Sequence, residues 1–404
     1  MSRVRWSWLW SRNSDVIWNF APFWAGFAFV AALYAVRDLG GLTDNPMLNF
    51  RLGGRNLHLA GLLVLLYGPL VDAPHIWGTL ARTYTDKDEW AARKPLFLGS
   101  LALFAVGPVI VLAPYVLRSV FHLGAGHEDV GWDLWSNLFA TYALFHINKQ
   151  HWGFVALYKR KNGDTLDNRI DQIFFHTTLW LPFAAMIVAP WYADFDGKPF
   201  AITHAVVGNT TTGALLYHAF RFVFWAMCIG YVAFQIDQYR KGVPRNGPKL
   251  AYMATVLPLY YLAFAVHPLI AVFWVITTGT GHCAQYHRVV WAYGKTKYAG
   301  KEKSTRRLPG LIFDHVWLYA ALGLLFGLVT LQGPGGNGAR LAIANVMDGA
   351  LRHVFAFLDH NAGVALGLQV LAAFITGARL HHFYVDSKIW RVSKSAALAK
   401  NLNV

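Results

Sequence analysis

The sequence predicts an all-α fold: a polytopic integral membrane bundle of about ten transmembrane helices, with both termini cytoplasmic. Three observations predict it: an apolar bias, recurrent long apolar runs, and basic residues gathered between those runs. Apolar residues make up 55% of the 404 residues and charged residues only 14%, whereas soluble globular chains carry roughly a quarter charged residues. Seventeen Trp and eighteen Tyr suit a chain with many membrane interfaces, where amphipathic rings settle at headgroup depth.

Ten apolar runs of roughly 18–28 residues are each long enough to cross about 30 Å of hydrocarbon as helix. They cover residues 16–36, 57–81, 96–117, 131–158, 172–192, 213–238, 249–266, 269–293, 310–331 and 362–387. The first is preceded by a basic, Trp-rich segment, MSRVRWSWLWSRNSD. It lacks a small-residue cleavage site and reads as a retained cytoplasmic tail. The seventh and eighth runs are divided at His267-Pro268, where proline makes a break reasonable. Between the last two lies 332–361, which starts QGPGGNG and then takes on helical periodicity, as expected of a segment lying along the outer surface. No soluble domain of useful size interrupts the runs, so residues 1–404 read as one transmembrane domain.

Orientation is set by the basic residues. With both termini inside, 25 of the 36 Lys and Arg fall in cytoplasmic segments and 7 in external ones. The other four, Lys149, Arg221, Arg288 and Arg379, lie inside runs. That asymmetry is a strong positive-inside signal, and it predicts an integral membrane protein, of the bacterial inner membrane. The net charge of +15 is dispersed in short clusters rather than pooled into a patch, so no nucleic-acid partner is expected. Cys228 and Cys283 both sit in apolar segments, which leaves no disulfide framework, CxxC pair or c-type haem attachment site.

Nine of the 17 histidines fall near the cytoplasmic ends of runs: His75, His146, His151, His176, His282, His287, His315, His381 and His382. Each is 6 to 13 residues from the nearest basic flank, hence roughly 10–20 Å inside it at helical rise. Carboxylates share the layer: Asp72, Asp171, Asp314 and Asp386, each beside or one turn from a histidine. Ionisable groups inside spans are costly and normally mark a pathway or site. A ligating imidazole usually gives its other N–H to a carboxylate or carbonyl, so the nine histidines are the candidate metal ligands and the four aspartates their supports. An imidazole-rich set with few carboxylates suits Fe, Cu or Zn better than Mg or Ca; one or two non-haem iron ions are the foremost expectation, with haem as a further cofactor reading. The two His-x4-His pairs, in FHINKQH and GHCAQYH, span about 140° of helix and need a π-bulge or two metal ions to act together. His382 and Asp386 share a face, as do His75 and Thr79. Lys149 and Arg288 are candidate anchors for an anionic headgroup or substrate carboxylate, with snorkelling to the interface as the bland reading. Arg82 reads equally well as a topology charge. The outer histidines His204, His218, His267, His353 and His360 read as structural.

FHINKQH, GHCAQYH and LHHFYVD, at the cytoplasmic ends of their runs, give the chain a layout that resembles the His-rich polytopic membrane oxygenases. These are the membrane desaturases, fatty-acid hydroxylases and bacterial carotene-cleaving dioxygenases. The HxxxH and HxxHH boxes of the desaturases are absent, and no residue assignment is carried over. The resemblance implies a non-haem iron enzyme that uses O2 to hydroxylate, desaturate or cleave a hydrophobic small molecule taken from the lipid bilayer, with electrons from a cytoplasmic donor. Two other classes fit the same residues: a metal-ion or proton transporter with a histidine relay, and a b-type haem electron carrier with axial histidines on facing spans. A transporter needs a polar path through the whole membrane, and LFAVGPVIVLAP, WLPFAAMIVAP and YAALGLLFGLVTL are dry.

Overall fold

A computed structural model describes residues 3–37, 49–52, 55–58, 67–121, 130–164, 168–190, 207–208, 210–266, 279–298, 303–330 and 362–404. The described residues are overwhelmingly helical, as the all-α expectation requires. They divide into two compact units, one built from residues 1–35, 145–285 and 403–404, the other from 36–144 and 286–402.

In the first unit, helix Asn168–Val188 packs against Thr211–Arg240 and Gly247–Ala265. Helix starts are set by local chemistry. The Thr210 hydroxyl accepts from the Gly213 N–H, and Asn246 accepts from the Lys249 N–H with Pro248 in the first turn, which satisfies amides that have no helical partner. Gly242, at φ +81°, ends helix Thr211–Arg240 in the left-handed conformation that glycine adopts without strain. Short parallel strands pair Val4 with Arg245 and Arg5 with Asn246, and Asn162 exchanges hydrogen bonds with the Ser7 backbone. The amino-terminal segment and the loops at 159–164 and 241–247, all expected on one side of the membrane, are therefore joined directly.

In the second unit, helix Ala362–Ile389 packs on Leu103–Phe121 and on Ala73–Thr83, and Val316–Thr330 also packs on Ala73–Thr83. Val111, Trp135, Phe139, Ala143, Ala373, Leu380 and Phe383 form one buried cluster. Three more segments expected on the cytoplasmic side meet here: Lys297 bonds Asp86 at 2.6 Å, Tyr293 donates to Glu89 at 3.0 Å, and Arg93 donates to the Lys388 carbonyl at 3.2 Å. Asp86 also caps helix Lys87–Ser100 and accepts from Tyr298.

Burial pushes the Asp86 carboxyl up, but the Lys297 ammonium and the Tyr298 hydroxyl together outweigh it and hold the group below its usual range. A depressed carboxylate stabilises the fold above its unfolded pKa, and that contribution is lost as the pH falls through the folded value. The wild type should therefore lose thermal stability below about pH 4. Asp86→Asn, which keeps a capping side chain, should be less stable at neutral pH and show a smaller acid loss. Identical acid profiles in melts of the two proteins would refute the assignment.

Several expected elements take a different form. Residues 57 and 58 lie in an antiparallel hairpin, Asn49–Leu52 with Arg55–His58; the helical part of run 57–81 is described only from a π-helical turn, Gly68–Asp72, into Ala73–Thr83. Run 96–117 is the middle of Lys87–Phe121, kinked where Arg93 leaves helical geometry two residues before Pro95, since a proline ring crowds the preceding turn. Run 310–331 is broken at His315 into Lys303–Asp314 and Val316–Thr330, with a bend of 106°. The division at His267-Pro268 and the 332–361 segment lie outside the described residues.

Among the described residues two helices are long and apolar enough to cross a membrane, Lys87–Phe121 and Thr211–Arg240, and the bent pair at His315 is a third candidate. On Thr211–Arg240, Leu215, Phe222 and Ile229 are 68%, 74% and 68% exposed. Spaced by seven, they form one apolar stripe turned outward, as a lipid-facing helix requires. That makes two or three candidates among the described residues where the sequence led us to expect about ten; Ala73–Thr83, at 11 residues, covers only about 16 Å.

Candidate metal centres

Each unit gathers buried histidines. In the first unit, helix Val130–Lys161 supplies His146 and His151, and the first turn of Thr280–Tyr298 supplies His282. All three are buried. The His282 ring stands 5.2 Å from that of His146 and 6.3 Å from that of His151, nearly perpendicular to both. No π-bulge interrupts the helix between His146 and His151; the third imidazole is what relates the pair.

His151 is held by its neighbours. Its Nδ1 is 2.7 Å from the Tyr252 hydroxyl, which donates to Gln285 Oε1 at 3.1 Å. Because the Tyr252 proton is spent on Gln285, His151 Nδ1 carries the proton of their shared bond, and the ring's lone pair resides on Nε2. That nitrogen is buried and has no hydrogen-bond partner among the described residues. A buried acceptor left without a donor costs about 1–3 kcal/mol; a metal ion is a partner that would remove that cost. Gln285 is fixed in turn by donating to the Asn19 carbonyl at 3.2 Å, and Gln150 donates to the His282 carbonyl at 2.8 Å. Phe23 and Tyr260 flank the His151 ring at 5.7 and 5.6 Å. A Cβ on Gly281 would sit 2.4 Å from the Phe23 ring, so only glycine lets Phe23 approach that closely.

In the second unit, His75 and His382 meet with ring centroids 4.7 Å apart and planes at 84°, and their ligand nitrogens lie within 4.8 Å. An oxygen of Asp386 is equally close to His382. The Thr79 hydroxyl connects them: it donates to Asp386 Oδ1 at 2.8 Å and lies 2.6 Å from His382 Nδ1. Tyr286 donates to the same carboxylate oxygen at 2.8 Å. With the Thr79 proton given to Asp386, His382 Nδ1 is the donor to Thr79, which puts its lone pair on Nε2. His75 reaches the same tautomer by bonding its Nδ1 to the Asp72 carbonyl, where the chain leaves the π-helical turn. The Asp72 carboxylate is bonded by Arg379. Gly78 keeps this helix close to its neighbours: a Cβ there would lie 2.9 Å from the Tyr286 ring and 3.0 Å from the Tyr319 hydroxyl. Buried histidine and aspartate groups that could hold a metal ion are thus present, and the imidazole-rich donor set fits a transition metal better than a hard cation.

The remaining expected residues have other partners. His287 bonds the Tyr319 hydroxyl at 2.9 Å, and His381 bonds that of Tyr84 at 2.7 Å. His176 is half-buried between Trp152 and Phe175, its Nε2 also lacking a hydrogen-bond partner among the described residues. His315 and Asp314 are exposed at the bend, with Asp314 3.9 Å from Lys295. Asp171 does not support His176; it is paired with Lys159 and Lys249 and accepts from Tyr231. Lys149 is exposed over the Phe145 ring, and Arg288 is half-buried. Of the outer histidines, His218 is exposed, and His204, His267, His353 and His360 lie outside the described residues. Tyr252, Gln285 and Tyr286 were not legible as site residues; their one sequence signal is position within a turn of a histidine-bearing helix or opposite it.

No protein-family model matches the chain, and no curated protein or solved structure matches it.

Proposed function

We propose that the protein is a polytopic membrane metalloenzyme that uses O2 to oxidise a lipid-soluble substrate, with non-haem iron as its metal. The observation that carries this reading is His151: an imidazole locked by Tyr252 and Gln285 with a bare, buried Nε2, in ring contact with His282. A hydrogen-bonded support of this kind is what a metal-ligating histidine normally has. His75 and His382, each with Nδ1 engaged and Asp386 adjacent, supply a second set of the same character. Iron bound at such ligands supplies the one-electron chemistry that O2 activation needs.

The chain's own residues do the rest. Tyr252, Gln285 and Thr79 fix imidazole tautomers, Tyr286 and Thr79 orient the Asp386 carboxylate, and Phe23, Tyr260 and their neighbours exclude water from reactive species. The outward apolar stripe on Thr211–Arg240 and the joined loops within each unit support a membrane setting with those loops on one side. The basic-residue asymmetry makes that side cytoplasmic, with the metal toward the inner leaflet, where substrate enters from lipid and a soluble donor delivers electrons.

Cells expressing the protein should convert a lipid-soluble compound only when grown with oxygen, and the product should vanish in His282→Ala. Comparative mass spectrometry of lipid extracts reads this directly. Unchanged extracts, together with proteoliposomes that move metal ions or protons, would overturn the enzyme reading in favour of a transporter.

A further inference from the structure

Arg82 is the least expected residue of the second unit. It is 2% exposed, and its guanidinium is sandwiched 3.5 Å from the Trp390 ring centroid and 4.2 Å from that of Tyr293. Nη2 donates to the Ile389 carbonyl at 3.0 Å. Nε and Nη1 are buried with no acceptor among the described residues, and no described carboxylate lies within ion-pair distance. The other cations nearby are matched: Arg379 by Asp72, Arg93 by Glu89, Lys297 by Asp86. Asp386, on helix Ala362–Ile389, acts on Arg82 electrostatically but gives its Oδ1 to Thr79 and Tyr286. Stacking on aromatic faces offsets part of the cost of burying a cation, yet it leaves the N–H donors on Nε and Nη1 unused. Buried N–H donors that meet no acceptor carry a desolvation cost.

The position of Arg82 points the same way. His75, Thr79 and Arg82 are spaced i, i+4, i+7 on helix Ala73–Thr83 and so share one face. All three are buried. Arg82 stands about 10 Å along the axis from His75, at the end nearer the charged loops.

We propose that Arg82 anchors the anionic headgroup, carboxylate or phosphate, of an amphiphile. A planar guanidinium recognises both oxyanions through its N–H edges while its faces stay stacked. The proposal rests on the reading of this unit as acting on a lipid-soluble substrate, and it narrows that class to molecules with one anionic end. It replaces Lys149 and Arg288 as the anionic anchor, since neither is buried.

The test is calorimetric titration of the purified full chain, stripped of metal, with dodecanoate, dodecyl phosphate and dodecanol. Wild type should bind at least one anion more tightly than the alcohol; which anion it prefers separates a free carboxylate from a phosphate headgroup. Arg82→Gln should weaken the anion by roughly 10- to 100-fold, the loss expected when a hydrogen bond to a charged group is removed, and leave dodecanol unchanged. Arg82→Lys should retain part of the affinity, and Lys388→Gln should retain all of it. Equal wild-type affinity for anions and alcohol would overturn the proposal even if Arg82→Gln failed to fold, and so would equal losses of anion and alcohol in Arg82→Gln. Because metal is absent throughout, failure of the iron assignment leaves this result intact.

Discussion

Protein purified from metal-replete cells should contain a first-row transition metal, and His151→Ala or His282→Ala should remove most of the share bound in the first unit. Elemental analysis with iron, copper and zinc read together measures it. Tyr252→Phe is the more discriminating variant. It keeps the ring that packs on His151 but removes the hydroxyl that fixes Nδ1, and loss of such a support typically lowers metal affinity about 10- to 100-fold. A partial loss of metal with an unchanged melting profile is therefore expected. His218→Ala, on an exposed position of Thr211–Arg240, should change nothing. Metal-free wild type, or equal losses at His218 and His151, would end the assignment of this cluster as a metal centre.

The largest effect on stability should come from Asp171. Its carboxylate is completely buried and is shared by two buried ammonium groups, Lys159 and Lys249, with Asp164 as the second anion and Tyr231 donating at 2.6 Å. Asp171→Ala leaves two lysines competing for Asp164. Breaking a buried pair from one side costs about 3–5 kcal/mol because the remaining charge is uncompensated, a large fraction of a typical domain's stability. Thermal unfolding in detergent should show a clear drop. Lys241→Ala, which removes an exposed partner of Asp237 on the same side, should leave the transition in place. A small effect at Asp171 would mean that the lysines reach water or lipid phosphate. Metal content should not track Asp171, because its partners are the lysines and Tyr231 rather than His176.

The helical class was legible in the sequence because apolar length and periodicity are properties of a single segment. Basic loops meet within each unit: the tail, 159–164 and 241–247 in one, and 82–95, 294–298 and 388–391 in the other. Thr79 was placed beside His75 by the helical repeat alone, and the structure adds its bonds to His382 and Asp386.

Partnership between helices was decided only by the tertiary structure. Asp171 is one turn from His176 in sequence, but the rotation of helix Asn168–Val188 against Gly247–Ala265 hands it to Lys249. His146 and His151 point about 140° apart on an ideal helix, and only the arrival of His282 relates them. The π-helical turn at Gly68–Asp72, the break at His315 and the kink at Arg93 each reset the helical phase, so a residue's face cannot be counted across them. Arg82 looked like one more basic flank residue because its charge is all that a sequence displays. Its burial between Trp390 and Tyr293 depends on residues more than two hundred positions away, and so does the packing that leaves its Nε and Nη1 without an acceptor among the described residues.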